Sequence, residues 1–154
     1  MTHILTLEIE PKGKGRPRVT FRGGYARAYT PATTAKWEKA AVTIMRSQWK
    51  SGPIMTPVRV HIDAIAKRPL RLCRKKDPEG LLIRAALPDA DNVAKAVLDA
   101  VQKAGLIDND KQVIDLRVRS LYSEKSSPGR VVIAIQQLEE AGDVVQPFDS
   151  FESP

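Results

Sequence analysis

The sequence predicts a single α+β domain, in which a small mixed sheet of about four main strands, with an N-terminal hairpin beside it, packs against two helices. Three observations predict this. Apolar and polar residues alternate over 3–9, 58–66 and 113–122, and 130–138 is rich in Val and Ile, as strands require. Apolar residues recur at helical spacing after Thr30-Pro31 and again after Asp91. A chain of 154 residues has the length of one ordinary domain, so both kinds of element must share one core. The domain is expected over 1–138. Residues 139–154 hold Glu139, Glu140, Asp143, Asp149 and Glu152 with no periodic apolar face, and read as a disordered acidic tail.

The first strand ends at Pro11, and a basic arm follows with Lys12, Lys14, Arg16, Arg18, Arg22 and Arg27 and no acid. Gly23-Gly24 can turn this arm into a hairpin, whose Phe21, Tyr25 and Tyr29 serve either as its core or as stacking platforms. Thr30-Pro31 looks like a cap and first turn. Trp37, Ala40, Ala41, Ile44, Met45 and Gln48 then predict a helix of about 18 residues. Val58, Val60, Ile62, Ala64 and Ala66 form the apolar face of the next strand.

Residues 67–86 carry Lys67, Arg68, Arg71, Arg74, Lys75, Lys76 and Arg84 among prolines and a glycine, and read as a mobile basic loop. Val93, Ala94, Val97, Leu98 and Val101 make a helical stripe ending at Ala104-Gly105. Ile114, Leu116 and Val118 alternate with charged residues in a further strand, and Ser126-Ser-Pro-Gly129 is expected to fold Arg130–Leu138 back on it as an antiparallel hairpin.

The formal charge of +7 understates the basicity, because the body through residue 138 holds 25 basic against 13 acidic residues. Such a surface implies a polyanionic partner, nucleic acid before anionic lipid. No apolar run approaches the length of a membrane span, and the start of the chain lacks the features of a secretory leader, so a cytoplasmic protein is expected. Cys73 is the only cysteine, which excludes an internal disulfide and argues against a cysteine zinc site. His61 sits mid-strand and reads as part of the sheet surface. Lys12-Gly-Lys-Gly-Arg16 lacks the pattern of a phosphate-binding nucleotide loop.

Aspartates at 89, 91, 108 and 110 surround the second helix. Asp89 and Asp91 could offer two hard oxygen ligands to one Mg²⁺, with Mn²⁺ as a substitute; phosphate oxygens and water would complete the shell. Lys95, one turn after Asp91, can reach the same phosphate. Metal-assisted phosphodiester cleavage follows from this set. The competing reading makes Asp91 a helix cap and Asp91, Lys95 and Asp99 an ordinary surface ladder.

The run Asp89-Ala-Asp-Asn-Val-Ala-Lys95 through Ala104-Gly-Leu-Ile-Asp-Asn-Asp110-Lys-Gln-Val113 resembles the core of the RusA family of Holliday junction resolvases. Gly13-Lys-Gly-Arg-Pro-Arg18 with Tyr29-Thr-Pro31 is similar to the amino-terminal region of phage and prophage members. The resemblance implies catalysis by Asp89, Asp91, Asp110 and Lys95, with the three aspartates on the metal, and leaves Asp99 and Asp108 as supporting acids. It implies a homodimer acting on four-way DNA junctions in recombination and repair by paired symmetric nicks. The basic residues Lys12, Lys14, Arg16, Arg18, Arg22, Arg27, Arg68, Arg71, Arg74, Lys75 and Lys76 become its DNA contacts. Two other classes remain open: a nuclease for flaps or forks, and a DNA-binding module without catalysis. One geometric tension stands. A helix over 92–104 rises roughly 20 Å, so residues 105–110 must either run straight back along it or supply Asp110 to a partner protomer.

Overall fold

The computed structural model describes residues 1–16 and 18–139; the acidic tail from residue 140 onward lies outside them. A five-stranded sheet has the order β1-β7-β4-β6-β5, formed by β1 (Thr2–Leu7), β4 (Val58–Ala66), β5 (Leu82–Ile83), β6 (Val113–Tyr122) and β7 (Arg130–Gln137). A separate ribbon pairs β2 (Arg18–Arg22) with β3 (Tyr25–Tyr29). Helices α1 (Ala32–Gln48) and α2 (Ala90–Ala104) pack on each other and on one face of the sheet, as an α+β arrangement requires.

The core lies between that face and the helices. Leu5, Leu7, Val58, Val60, Ile62, Val131, Ile133 and Ile135 meet Trp37, Ala41 and Met45 of α1 and Val93, Val97, Ala100 and Val101 of α2. In β7 and through most of β4 every second residue points inward, which is why the alternation is readable. Pro31 caps α1 through its carbonyl, which accepts from Thr34 N and Ala35 N, and no side chain caps this end. α2 closes on Gly105, whose φ of 81° lies in the left-handed region that follows helix ends.

Two expectations are corrected. β6 and β7 are not a hairpin: β4 lies between them, parallel to β6 and antiparallel to β7. The connection over 123–129 is long enough to step across the roughly 10 Å of two strand spacings. The unbroken run Val131-Val-Ile-Ala-Ile135 also suits an interior strand, whereas the charge-studded β6 suits a place near the edge.

Residues 67–86 are also more ordered than expected, with a 3₁₀ turn at Leu70–Leu72 and β5 paired to Leu121 and Tyr122. Their organiser is Arg68, only 3% exposed. Its guanidinium donates to the carbonyls of Ser123 (2.8 Å), Leu72 (3.3 Å), Pro78 and Gly80.

Candidate active site at the two ends of helix α2

The ends of the sheet divide the chemistry. β1, β4 and β6 run parallel, so Leu7, Ala66 and Tyr122 finish at the same end. That end feeds the arm from Glu10, the 67–86 segment and the entry to α2. Arg84 secures the entry by donating from its backbone to Ser120 O (3.1 Å) and from its guanidinium to Leu87 O. Asp89 is the N-cap of α2 by backbone position, with its carbonyl accepting from Val93 N at 3.0 Å, but its side chain makes no capping bond. Asp91 lies in the first turn, and Lys95 follows one turn later on the outward side; all three are exposed.

The state of these carboxylates is informative. Seven acids of this basic body sit in ion pairs: Glu38, Asp63, Asp77, Glu79, Asp99, Asp115 and Glu124. Among the described residues Asp89, Asp91, Asp108 and Asp110 have no ion-pair partner, although lysines and arginines surround them in sequence. The surface ladder of the competing reading is not formed either, because Asp99 binds the ammonium of Lys14. Asp89 opens on a cleft of ≈ 480 Å³ shared with Lys12, Gly13, Lys14, Pro88 and Asn92.

Asp110 is elsewhere. After Gly105 the chain buries Leu106 and Ile107, bridges Ile107 to Ile54, and turns at once into β6. Asn109 and Gln112 make this turn rigid. The Asn109 side chain accepts from Lys111 N, while Gln112 accepts from Asp108 N and Asn109 N and donates to the carbonyls of Ile54 and Thr56. Gln102 of α2 donates to Asp108 O at 3.1 Å, fixing the turn at the foot of the helix. Residues 105–110 therefore do not return to the head. A 15-residue helix, about 22 Å long, separates Asp89 and Asp91 from Asp108 and Asp110. Accordingly, among the described residues no three His, Cys, Asp or Glu side chains come together as a metal site.

Apart from Lys12, which lines the cleft of Asp89, the basic candidates sort into three groups. Arg18, Arg22 and Arg27 lie on the ribbon, every residue of which is exposed, so Phe21 (80% exposed), Tyr25 and Tyr29 are not a hairpin core. The register puts Arg18, Tyr29, Thr20, Arg27, Arg22 and Tyr25 on one side of the ribbon and Val19, Phe21, Ala26 and Ala28 on the other. Arg16, Arg71, Lys75 and Lys76 are exposed, and Arg74 is exposed but paired to Asp77 at 3.1 Å.

Two candidates are corrected as free phosphate contacts. Arg68 is buried and spends its donors on carbonyls, because the loop it organises would otherwise leave them unpaired. Lys14 is held between Asp99 of α2 and Glu38 of α1, which together raise its pKa, the hydrogen bond to Asp99 most. No sequence pattern marked either role; only the close spacing of Gly13 and Gly15 around Lys14 hinted at backbone packed against something.

No helix among the described residues is long and apolar enough to cross a membrane. Residues 8–136 match the family described as endodeoxyribonuclease RusA. An uncharacterized protein of Bacillus subtilis (strain 168), YqaN, is 33% identical over 139 residues, covering 86% of this chain and 94% of its own length. The match spans the arm, the head of α2, the Asp108–Gln112 turn and the sheet together, and the chain therefore belongs to the RusA family of endodeoxyribonucleases, whose members resolve Holliday junctions.

Proposed function

We propose that this protein is a metal-dependent Holliday junction resolvase whose two active sites are each built by two protomers. The observation that carries this reading is the division of four unpartnered aspartates between the head and the foot of α2. Two copies related by a two-fold axis across α2 run their helices antiparallel, which brings Asp110 of one copy toward Asp89 and Asp91 of the other. A self-complementary surface is required for this. Leu116, 44% exposed although it pairs with the fully buried Val60 on the helix-covered face, and Ile114, 61% exposed, provide an apolar strip on that flank.

In this site Asp89 and Asp91 would hold Mg²⁺, or Mn²⁺ in its place, and among the described residues their lack of any capping or ion-pair partner leaves them free for that. The bound ion supplies an activated water and charge neutralisation at the phosphate. Lys95 faces the same phosphate as a compact positive charge and stabilises the negative charge that develops on its oxygens. The exposed ribbon and the Arg71–Lys76 stretch hold the junction arms through phosphate contacts. Two equivalent sites on a symmetric dimer suit two equivalent strands, giving paired nicks.

A labelled synthetic four-way junction, incubated with Mg²⁺ or chelator and resolved on a denaturing gel, tests the reading. Paired symmetric nicks that require both metal and Asp91 are expected. Cleavage confined to flaps or forks would reassign the substrate, and binding without cutting would leave a DNA-binding module.

A further inference from the structure

We infer that Lys12 positions the scissile phosphate over the Asp89 cleft, and that the Gly13-Lys14-Gly15 segment is a clasp that holds Lys12 there. The inference rests on the cleft being the cutting site and adds a residue to it.

The clasp is visible atom by atom. A Cβ on Gly13 would stand 2.9 Å from Pro88 Cβ and 3.3 Å from Asn92 Cβ, and one on Gly15 would stand 2.6 Å from the Thr34 hydroxyl. The two glycines thus lay bare backbone against the heads of α2 and α1 in turn. Between them Lys14 donates its backbone N–H to Asn92 O at 2.9 Å and inserts its ammonium between Asp99 and Glu38. On the other flank of Lys12, Glu10 is fixed through its carbonyl, which accepts from Trp37 Nε1 at 2.8 Å, and through its carboxylate, which accepts from Lys67 N at 3.0 Å.

Lys12 is therefore pinned two residues away on both sides, yet among the described residues its own ammonium has no ion-pair partner. Its stem lies between a groove along α1, beside Trp37 and Lys36, and the cleft that contains Asp89. An ordered backbone carrying an uncommitted ammonium beside the cleft that Asp89 lines fits one task, gripping a phosphate whose oxygens also face that cleft. The ribbon arginines differ, since they ride on an exposed two-stranded element and suit distributed contact along the DNA.

The test compares Lys12→Met, Lys12→Arg and Arg71→Gln in junction nicking with Mg²⁺ over a range of junction concentrations. Lys12→Met should lower kcat about 10- to 100-fold with KM changed less than about threefold, and Lys12→Arg should recover most of the rate, whereas Arg71→Gln should raise KM alone. A Lys12→Met variant that behaves as Arg71→Gln overturns the assignment, as does one whose lost rate is matched by a lost Tm. A second readout does not depend on cutting. In ¹⁵N-lysine NMR without divalent metal, the Nζ signal absent from Lys12→Met should shift on adding junction while that of Lys14 stays in place. An unmoved Lys12 signal overturns the inference even where wild type cuts, and a moved one with no cutting by wild type removes the nuclease reading but keeps the phosphate contact.

Discussion

At the scale of single residues, the free carboxylates separate activity from stability. Asp89 and Asp91 make no side-chain capping bond at the head of α2 and no ion pair, so Asp91→Asn should abolish metal-dependent nicking while shifting stability by no more than about 0.5 kcal/mol, measured by denaturant melts. Lys14→Met should do the opposite in kind, loosening the α1–α2 groove by leaving Asp99 and Glu38 without their shared cation. Acid sensitivity belongs to another pair. The Arg130 guanidinium, 2.9 Å from Glu124, holds that carboxyl down to about 2 against an ordinary 4.5. A lowered folded-state pKa gives stability that is complete above the ordinary value and is lost as pH falls toward 2. Glu124→Gln should therefore flatten the fall in Tm between about pH 4.5 and pH 2 relative to wild type, and equal slopes would show that the pair does not couple folding to protonation.

At the scale of elements, the 67–86 segment depends on one side chain. Arg68→Met should cost on the order of 1–3 kcal/mol, because it strips donors from the buried carbonyl of Ser123 and from the part-buried bonds to Leu72, Pro78 and Gly80, and should speed protease cleavage between residues 70 and 80. The elements themselves were legible in the residues: the alternation of Val58 to Ala66, the stripe Val93, Ala94, Val97, Val101 and the Gly23-Gly24 turn each fix a local conformation. Less legible was what pairs with what. The Ser126-Ser-Pro-Gly129 turn favours a hairpin locally, but β4 offers buried partners on both edges and intervenes between β6 and β7. Lys14 and Arg68 were misplaced for a related reason. A cation seen in sequence carries no mark of whether a carboxylate or carbonyl from 10 to 85 residues away will reach it. Of the candidate site, spacing alone offered the aspartates at both ends of α2 beside Lys95, and the resemblance to the RusA family singled out Asp89, Asp91, Lys95 and Asp110, whereas the distance between the ends of α2 became fixed only with the turn at Asn109 and Gln112.

At the scale of the whole molecule, the shared site proposed above would make activity a property of pairs. Asp89→Asn and Asp110→Asn chains, each inactive alone, should regain nicking when mixed, because a mixed dimer contains one site with neither substitution; no recovery would place Asp110 outside the site of either copy. Removing Arg18, Arg22 and Arg27 together should lower the slope of log affinity against log salt by about 0.9 per lost phosphate contact, read from junction titrations at several salt concentrations. The strand order has a further consequence for how the molecule is made. Among the described residues β1 pairs only with β7, and β4 is flanked by β6 and β7, so the first strand waits wholly, and the middle one on one edge, for the last. A nascent chain released at residue 128 would have helices with a ragged half-sheet beneath them, and β1 would have no neighbour at all. Synthesis therefore delivers the basic arm and the aspartates at both ends of α2 before the scaffold that positions them exists, so the fold that the proposed cutting site requires arrives late, with the emergence of Val131 to Ile135 from the ribosome.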